Sequence, residues 1–529
     1  MVRNCSFLLF LLFTHMLAAQ QVDWLQSWPV QYDLNPGMPD QSLASDGVDL
    51  VGMRLLNATH VYGQKVYGGV SMDRLDPVSG ELMLSCALGD SVTINTAIVH
   101  AGVGYFAGSF QGDALVLCDG SVLPGTTGQP FNEHPFIIAW DLAADEILWS
   151  RDISIGQGPN FTISSLAIDP QGDLWYAIED FFTGRIIEVD QNGNDLSTRT
   201  IDGCKRIGAI SFDPWGGLYV SGAADANGGF TFAGMSPSIP EEFDYNMFVL
   251  RYRPDGSAGF AHFASDITFQ APEVVATNDG HAYLAGELFD TTSWGGIPFN
   301  GPDWVNSGFL AKLDSTGQFL WGIESDPAGG PLTGDLGLAK GNAIAVDALN
   351  NVHLLGNVRG MVDWGNNVVS DGMTLGAHAI TVVAFSPEGV PQWATTSFPG
   401  SVIFAQSITA GSGAIHFASH ITNEVTFGSE TTNTGGSQAS MVGRIDGIAT
   451  SIQDRSLNGI SIWPNPANDR CCLLHDGPST SMDLIDATGS IVRNLKIGNG
   501  INAIDLQPLR SGIYLLRDAA GNTARLVKE

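Results

Sequence analysis

A short phrase of strand and turn residues recurs along the middle of the chain and restricts the fold more than any other feature. An apolar strand leads into a turn such as Asp-x-x-Gly, and a second short strand ending in Gly follows. Clear copies lie at 166–175, 210–222, 275–286 and 344–356, and weaker copies at 45–52, 98–108 and 408–419. Because such a unit buries its apolar face only against its neighbours, we interpret the middle of the chain as one repeat array.

Two further phrases complete each unit. One pairs an aromatic residue with Gly, as at 294–295 and 364–365, and the other closes the unit with a strand, a turn and a Trp, as at 309–321 and 383–393. Four short strands with turn residues in roughly 60 residues are typical of a propeller blade. Seven units fit between residues 20 and 453. The sequence therefore predicts an all-β chain with a seven-bladed β-propeller.

The first and last strands of this region predict how the ring closes. The seventh unit reaches Gly447 without a closing Trp strand, whereas residues 22–28, VDWLQSW, form a Trp strand with no unit before it. An open blade would leave an unpaired sheet edge. We therefore predict that the N-terminal strand completes the seventh blade. The alternative is a loose N-terminal arm.

The repeats resemble those of bacterial secreted propellers of the SBBP-like type. The resemblance rests on Asn278-Asp-Gly-His-Ala-Tyr-Leu-Ala-Gly286 and on Lys312-Leu-Asp-Ser-Thr-Gly317 with Trp321. It implies a secreted propeller. It does not indicate a ligand.

Charge divides the chain into two parts. The net charge is −32, yet the segment from residue 460 onward is neutral, so the excess acid lies before it. We predict a propeller domain over 20–453 and a second domain over 454–529, joined near residues 447–458. A strongly acidic domain argues against nucleic acid or anionic lipid as a partner. We interpret the negative charge as a means of keeping the protein soluble. The alternative is that the acidic surface binds calcium, and no other cofactor is expected.

The N-terminal residues indicate an exported protein. Residues 1–19 combine Arg3, an apolar stretch over 7–12 and small residues over 17–19, which predicts a signal peptide. No later run of about 20 apolar residues predicts a transmembrane segment.

Five cysteines follow the predicted signal peptide: Cys86, Cys118, Cys204, Cys471 and Cys472. A Cys86–Cys118 bridge is conceivable in an oxidising compartment, and one of the adjacent pair is expected in a core.

Aligning the second strand of the seven units gives one column of candidate residues. Its members are Asp49, Tyr105, Trp175, Tyr219, Tyr283, His353 and His416. A metal site made of His353, His416 and Asp49 is one hypothesis. Since packed sheets lie about 10 Å apart and zinc ligands lie about 2 Å from the ion, packing between blades with hydrogen-bonded histidines is favoured. A ligand-lined channel is the third alternative.

Two other features of the sequence suggest a calcium site and a ligand surface, but each has a simpler structural interpretation. Residues 190–195, DQNGND, resemble a calcium loop, but their Gly is at the fourth position and not the sixth, which favours an Asp-x-x-Gly turn. The long inserts at 115–136, 231–245 and 289–306 are candidates for a ligand surface. In the last insert Trp294, Phe299 and Trp304 are expected to be exposed and could stack on sugars; ordinary loop packing is the alternative.

Catalytic signatures are absent from the sequence. It contains no Gly-x-Ser-x-Gly, no His-Glu-x-x-His and no Walker loop. No catalytic or metal-binding residue is therefore predicted. A pair of carboxylates brought together by the fold stays open, because such pairs are defined by distance in space.

The last seventy residues carry the most specific motifs. Short strands separated by Pro-Asn-Pro, Thr-Gly, Gly-Asn-Gly and Ser-Gly turns predict a small antiparallel sandwich of about seven strands. The order of motifs resembles the type A sorting domain of type IX secretion cargo. The residues that carry it are Trp463, Pro464, Asn465, Pro466, Gly489, Asp505, Leu506, Gly512, Tyr514 and Lys528. Trp463 stands where the family usually has Tyr.

This resemblance implies a destination and a partner. Type IX cargo crosses the periplasm and is secreted or displayed on the outer surface of a Gram-negative bacterium, and its sorting domain is recognised by the secretion machinery. For the propeller itself we expect a non-catalytic binding or adhesion module with a glycan or protein ligand. A polysaccharide hydrolase or lyase is the alternative, and a structural component of the cell surface is the third.

Overall fold

The computed structural model describes most of the chain from residue 21 onward. The described residues are 21–32, 40–62, 65–125, 133–153, 162–240, 245–266, 271–288, 292–301, 307–325, 335–372, 378–398, 402–411, 413–446, 460–463, 470–475, 480–486, 491–498, 500–510, 512–517 and 523–528. The predicted signal peptide lies outside them. All regular elements in these residues are strands, which confirms the all-β prediction, and none of their elements is a helix able to span a membrane.

The strands are numbered along the chain. Those of the first half are β1 (Val22–Pro29), β2 (Gln31–Tyr32), β3 (Ser42–Ser45), β4 (Leu50–Leu55), β5 (Asn57–Ala58), β6 (His60–Tyr62), β7 (Lys65–Tyr67), β8 (Val70–Leu75), β9 (Leu82–Ala87), β10 (Val92–His100), β11 (Val103–Gln111), β12 (Ala114–Val116), β13 (Val122–Pro124), β14 (Glu133–Asp141), β15 (Glu146–Asp152), β16 (Thr162–Ile168), β17 (Leu174–Glu179), β18 (Thr183–Val189), β19 (Asp195–Asp202), β20 (Cys204–Phe212), β21 (Leu218–Asp225), β22 (Thr231–Phe232), β23 (Tyr245–Tyr252) and β24 (Ala258–Asp266).

The second half continues the series. Its strands are β25 (Glu273–Ala276), β26 (Ala282–Leu288), β27 (Thr292–Trp294), β28 (Ile297–Phe299), β29 (Ser307–Leu313), β30 (Phe319–Glu324), β31 (Asp335–Leu338), β32 (Ile344–Val346), β33 (Val352–Arg359), β34 (Met361–Gly365), β35 (Val368–Asp371), β36 (Ala379–Phe385), β37 (Pro391–Thr396), β38 (Val402–Gly411), β39 (Ala414–Phe427), β40 (Glu430–Ile445), β41 (Ile460–Trp463), β42 (Arg470–His475), β43 (Thr480–Asp486), β44 (Ile491–Ile497), β45 (Gly500–Asp505), β46 (Gly512–Arg517) and β47 (Thr523–Lys528).

The chain forms two compact units, one ending at Ile448 and the other beginning at Ala449. In the described residues of the first unit, seven antiparallel sheets of four or five strands follow one another along the chain, and smaller two-stranded sheets lie between their strands. Their strand orders are β3-β4-β8-β9, β10-β11-β14-β15, β16-β17-β18-β19-β22, β20-β21-β23-β24, β25-β26-β29-β30, β31-β33-β36-β37 with β32 on β33, and β38-β39-β40-β1. We number these sheets one to seven.

The sheets are arranged as a ring. The innermost strand of each sheet contacts that of the next, from β3 and β10 through to β38, and β38 contacts β3 again. At this junction Leu43 N donates to Ser407 Oγ (3.2 Å) and Ser45 N donates to Thr409 Oγ1 (3.0 Å). The side chains thus satisfy backbone groups at the inner sheet edges, which would otherwise be unpaired. This arrangement is a β-propeller, as predicted.

The N-terminal strand closes the ring. β1 pairs with β40, with Leu25 opposite Gly443 and Trp28 opposite Ser440. Trp24 Nε1 also donates to the carbonyl of Val78 in the first sheet (2.7 Å). The prediction that this strand completes the seventh unit is confirmed, and the loose-arm alternative is wrong. The physical reason is that β1 covers an edge of β40 that would otherwise be open.

The repeated turns explain why each phrase folds locally. In the fourth sheet Asp213 Oδ1 accepts hydrogen bonds from Trp215 N and Gly217 N (both 2.9 Å). Gly216 has a φ of +88°, a conformation that costs glycine little. The carboxylate replaces the partners that the turn backbone lacks, so Asp and Gly are favoured at these positions.

A disulfide joins the first and second sheets. Cys86 in β9 is bonded to Cys118, which follows β12, with a Cα–Cα distance of 5.2 Å. The bridge that the sequence allowed is therefore present. Cys204 is a buried free thiol. Cys471 is buried in the core of the second unit, so the expectation that one of the adjacent cysteines lies in a core is met.

The second unit contains two antiparallel sheets, β41-β42-β45 and β44-β43-β46-β47. Its core is built from its own residues, among them Leu473, Leu484, Leu506 and Leu516. Tyr514 Oη donates to the carbonyl of Arg510 (2.8 Å), which ties β46 to the preceding turn. Of the predicted motif, Pro464, Asn465, Pro466 and Gly489 lie outside the described residues, as does the side chain of Trp463.

Candidate functional site

The aromatic and histidine column predicted from the repeats connects neighbouring sheets. Tyr219 Oη donates to the carbonyl of Gly280 (2.7 Å), and Tyr283 Oη donates to the carbonyl of Asn350 (2.6 Å). His416 Nε2 lies 2.8 Å from the carbonyl oxygen of Pro77. Each acceptor belongs to the next sheet around the ring. The prediction of packing between blades with hydrogen-bonded histidines is confirmed.

The alternative metal site in this column is wrong. His353 Nε2 pairs with Asp347 (3.2 Å), His416 binds Pro77, and Asp49 accepts from Arg74 (2.8 Å). Each side chain has its own partner, as the spacing between packed sheets requires. Among the described residues, these three do not form a group that could share an ion.

One other group of carboxylates, formed by Asp169, Asp173 and Glu188, has its oxygens within 4.8 Å of one another. Asp169 already accepts hydrogen bonds from Trp175 Nε1 (3.1 Å) and from the backbone of its own turn. The Arg199 guanidinium lies 4.7 Å from the centre of the Trp175 ring. Its positive charge is close to the group, so the carboxylates have a counter-ion within the protein.

The segment that resembled a calcium loop is a turn. Asp190 Oδ1 accepts hydrogen bonds from the backbone N of Asn192 and Asn194 (both 2.8 Å). Gly193 N donates to the carbonyl of Asp190 (3.0 Å). The Asp-x-x-Gly interpretation is confirmed.

The expected exposure of the aromatic residues in the insert at 289–306 is wrong. Trp294 is 0 % exposed and Phe299 is buried. The hairpin of β27 and β28 folds back on the fifth sheet, where the Trp294 ring lies 6.2 Å from Phe309 and 5.9 Å from Phe319. Removing a large apolar ring from water lowers the free energy of the folded protein, so these rings lie in the core and not on the loop surface. Trp304 lies outside the described residues.

A cavity of about 910 Å³ lies among the innermost parts of the sheets. The second strands of the third and sixth sheets end at this cavity, at Glu179 and Arg359. The innermost strands of the fifth and sixth sheets begin there, at Glu273 and Asp335. Its volume is within the range of about 300–1,000 Å³ for ligand pockets. Its charged lining residues and single histidine are Asp40, Lys65, Glu179, Lys205, Arg206, Glu273, Glu287, Asp335, Lys340, Arg359 and His378.

Basic side chains are concentrated at this cavity. Only fifteen Lys and Arg residues lie between residues 20 and 459, and five of them line it. Lys65 binds Glu133, and Lys205 lies 3.0 Å from Asp225. Arg206 and Lys340 are exposed and make no ion pair within 4.0 Å among the residues that the structure describes. These two cations are therefore not in direct contact with a described carboxylate, although Arg206 lowers the pKa of Glu179 and Lys340 lowers that of Asp40.

Some of the lining acids serve the fold. Glu273 Oε2 accepts from Ala343 N (2.6 Å), and Glu287 Oε1 accepts from Leu338 N (2.7 Å). Both bonds cross from the fifth sheet to the sixth. These side chains satisfy inner-strand backbone groups, so their carboxylates are not free to bind a ligand without disturbing the ring.

Two other polar side chains of the lining are only partly satisfied. Glu179 lies beside the Ser164 hydroxyl and the Ile207 backbone of the next sheet, and both lower its pKa. Glu179 is 7 % exposed and Gln41 is 6 % exposed. Glu179 Oε2 and Gln41 Oε1 have no hydrogen-bond partner among the described residues. Buried polar atoms usually have a partner, since desolvation without one costs about 1–3 kcal/mol. Buried oxygens without a described partner at the wall of a cavity are typical of a ligand site.

Burial changes the protonation of the lining carboxyls. It raises the pKa of Glu179 to about 8, which Arg206 partly offsets. It raises the pKa of Glu273 to about 8 and that of Asp40 to about 6. At neutral pH Glu179 and Glu273 are therefore largely neutral acids, and Glu179 can donate a hydrogen bond.

His378 and Arg359 form one side of the cavity. Arg359 Nε donates to His378 Nε2 (2.9 Å), and the His378 ring lies 5.9 Å from that of Phe404. Burial, and then the Arg359 charge, lower the pKa of His378. The imidazole is therefore neutral at pH 7 and accepts from the guanidinium through Nε2.

Sequence reasoning missed this site entirely. Its residues come from strands distant in sequence and share no motif. The one usable signal is that charged residues such as Glu179 and Arg359 end strands that are otherwise apolar.

Comparison with known proteins identifies the C-terminal unit. Residues 461–529 match the model of the secretion system C-terminal sorting domain, so the chain carries the tail of type IX secretion cargo. No curated protein matches the chain.

Solved structures with similar folds have low sequence identity. Virginiamycin B lyase from Staphylococcus aureus is 9 % identical over 79 % of this chain and 98 % of its own, with a TM-score of 0.36. A protein of unknown function from Bacteroides caccae is 13 % identical over 64 % and 94 %, with a TM-score of 0.34. The propeller domain of the Trilobed protease from Pyrococcus furiosus is 9 % identical over 73 % and 89 %, with a TM-score of 0.34. The assignment of the fold rests on the sheet order and ring closure of this chain.

Proposed function

We propose that this type IX secreted β-propeller protein binds a glycan in the cavity among its innermost strands. The observation that carries the proposal is a pair of buried oxygens at the wall, Glu179 Oε2 and Gln41 Oε1, for which the described part of the chain supplies no hydrogen-bond partner. Hydroxyl-rich ligands both donate and accept hydrogen bonds. A neutral Glu179 and the Gln41 amide match that chemistry.

The rest of the lining supports a sugar. Phe181 and Phe404 supply apolar rings beside Asn95, Asn342 and the charged groups. Pockets that combine apolar surface with a few placed polar groups fix the orientation of a ligand. A glycan also suits a protein that carries a sorting domain for export to the cell surface or medium.

One observation favours a second function, the cleavage of a polysaccharide. General acid catalysis at neutral pH requires a carboxyl that keeps its proton, and burial gives Glu179 such a pKa, about 8. In this alternative Glu179 protonates the leaving oxygen of a glycosidic bond, while the carboxylate of Asp40 or Asp335 takes a proton from the water that attacks the anomeric carbon.

A screen of the purified protein against a polysaccharide panel tests both functions. Binding is measured by calorimetry, and cleavage by release of reducing ends and of unsaturated products. We expect Glu179→Ala to weaken binding about tenfold or more, since it removes the carboxyl that meets the ligand, whereas Glu179→Gln, which still donates and accepts hydrogen bonds, should keep binding and lose any cleavage. Glu146→Ala, an exposed change in β15, is the matched control. If no polysaccharide binds or is cleaved, the proposed function is wrong.

A further inference from the structure

We infer that the cavity selects acidic over neutral glycans, through an anion-binding pair formed by Arg206 and Lys340. This inference rests on the proposed function, since it names the class of glycan that the cavity takes. It starts from the contrast between the cavity and the rest of the propeller. A domain with a large excess of acid places a third of its basic residues around one cavity.

The two residues reach the cavity from different sheets. Arg206 lies on β20 in the fourth sheet, and Lys340 follows β31 in the sixth. Both side chains are exposed. A ligand in the cavity therefore meets two cations on separate parts of the wall, an arrangement that fits a chain with repeated negative charges better than a single small anion.

The remaining cations have partners within the protein. Lys65 and Lys205 are held by Glu133 and Asp225, and Arg359 donates to His378. Arg206 and Lys340 make no ion pair within 4.0 Å in the part of the chain that the structure describes. They are the basic groups that a ligand carboxylate or sulfate can bind without displacing an existing contact.

Most acids of the cavity do not cancel this charge; the exception is Asp40, which has a pKa of about 6 and interacts with the Lys340 charge. Glu273 and Glu287 are bound to backbone N–H groups of the sixth sheet, and Glu179 is largely neutral at pH 7 because burial raises its pKa to about 8. The many acids elsewhere on the protein are screened, since the Debye length is about 8 Å at physiological ionic strength. Only the groups at the wall decide what the cavity accepts.

Arg206 and Lys340 would bind the carboxylate of a uronate or the sulfate of a sulfated sugar in different ways. Arg206 can form a bidentate pair with a carboxylate or sulfate, whereas Lys340 acts as a compact charge. The structure favours acidic sugars as a class, and the test therefore includes a uronate arm and a sulfate arm.

The experiment compares glycans that differ only in charge. Polygalacturonate is paired with its methyl ester, and a sulfated galactan with its neutral, desulfated form. We expect the full-length protein to bind at least one acidic form about tenfold more tightly than its masked partner. The preference should weaken as salt rises. In the double variant Arg206→Ala/Lys340→Ala, the preference for the acidic form should fall below about threefold. The control variant Arg253→Ala, which removes a basic residue outside the cavity lining, should retain the preference.

The outcomes separate this inference from the proposed function. Equal binding of masked and acidic forms leaves the glycan function intact and overturns the anion selectivity. A preference that survives in the double variant also overturns it. Binding of none of the four probes overturns the inference as stated, and the wider panel then decides the proposed function. Thermal melts of each variant exclude loss of folding as the cause.

Discussion

Arg444 in the seventh sheet binds Asp23 in the first strand, with Nη1 2.7 Å from Oδ2, although 421 residues separate them. The same Nη1 lies 3.3 Å from the carbonyl oxygen of Val78 in the first sheet. Arg444 thus joins three distant parts of the chain at one place. That place is the seam at which the ring closes.

The first prediction concerns this closure. Deleting residues 22–29 removes β1 and leaves the edge of β40 unpaired, so we expect a loss of several kcal/mol and a clear fall in Tm. Asp23→Ala, which removes only a half-exposed ion pair, should change stability by less than about 1 kcal/mol. Differential scanning calorimetry measures both. An unchanged Tm after the deletion would show that β1 is not a structural strand.

The second prediction concerns the disulfide between Cys86 and Cys118. The Cys86→Ser/Cys118→Ser variant should unfold more easily by about 2–4 kcal/mol, because the bridge restricts the unfolded chain. Peptide mapping without reduction should recover the two cysteines in one fragment. Cys204→Ala, at a buried free thiol, is the control for the mapping and should leave the bridged fragment in place. Separate fragments would contradict the pairing.

The third prediction follows from the burial of Trp294. Trp294→Ala should destabilise the propeller by about 3–5 kcal/mol, since a large core side chain is lost. Trp294→Phe should recover part of that loss. Trp215, which is 62 % exposed, provides the matched comparison: Trp215→Ala should cost much less. Chemical denaturation measures all three variants, and equal losses at the two tryptophans would refute the core assignment.

The fourth prediction is a pH dependence of stability. The pKa of Glu179 is raised from about 4.5 to about 8 by burial, so the folded protein holds a proton that the unfolded chain releases between these values. Its contribution is complete below pH 4.5 and is lost as pH rises to 8. The unfolding free energy of Glu179→Gln should therefore fall less over this range, by roughly 2–4 kcal/mol.

Glu146→Gln, at an exposed position, should follow the wild-type curve over the same range. Parallel curves for Glu179→Gln and the wild type would show that the Glu179 carboxyl is not protonated in the folded state. Urea titrations at half-unit pH intervals make the comparison.

The fifth prediction concerns export. The second unit has a core of its own residues and matches a sorting domain over 461–529. A chain that ends near residue 450 should fold its propeller but remain inside the cell envelope. Fractionation of the producing bacterium measures this, with the propeller's melt as the folding control. Appearance of the truncated form in the medium would show that export does not need the tail.

The repeats allowed much of the fold to be predicted. Asp213 and Gly216 show why: a turn of this kind needs a short side chain with an oxygen acceptor and a residue that tolerates a positive φ, and few residues provide either. The Trp strand at 22–28 likewise predicted the partner of β40, because an open edge has to be covered. Local chemistry at these positions leaves little choice.

The site could not be predicted in the same way. Trp294 was expected on a surface because its insert is long, yet burial of the indole decided its place. Glu179, Arg206 and Lys340 share no motif and come from three sheets. Which side chains line the cavity depends on where each strand begins and ends around the ring.

The sequence by itself determined the strands, the turns, the repeat and the sorting tail, because these depend on residues close together in the chain. Only the tertiary structure decided which charges meet. Glu179 keeps its proton, and Arg206 and Lys340 lie in one cavity, because ring closure brings distant strand ends together and removes water from some of them. Burial and proximity are properties of the folded ring and not of any segment.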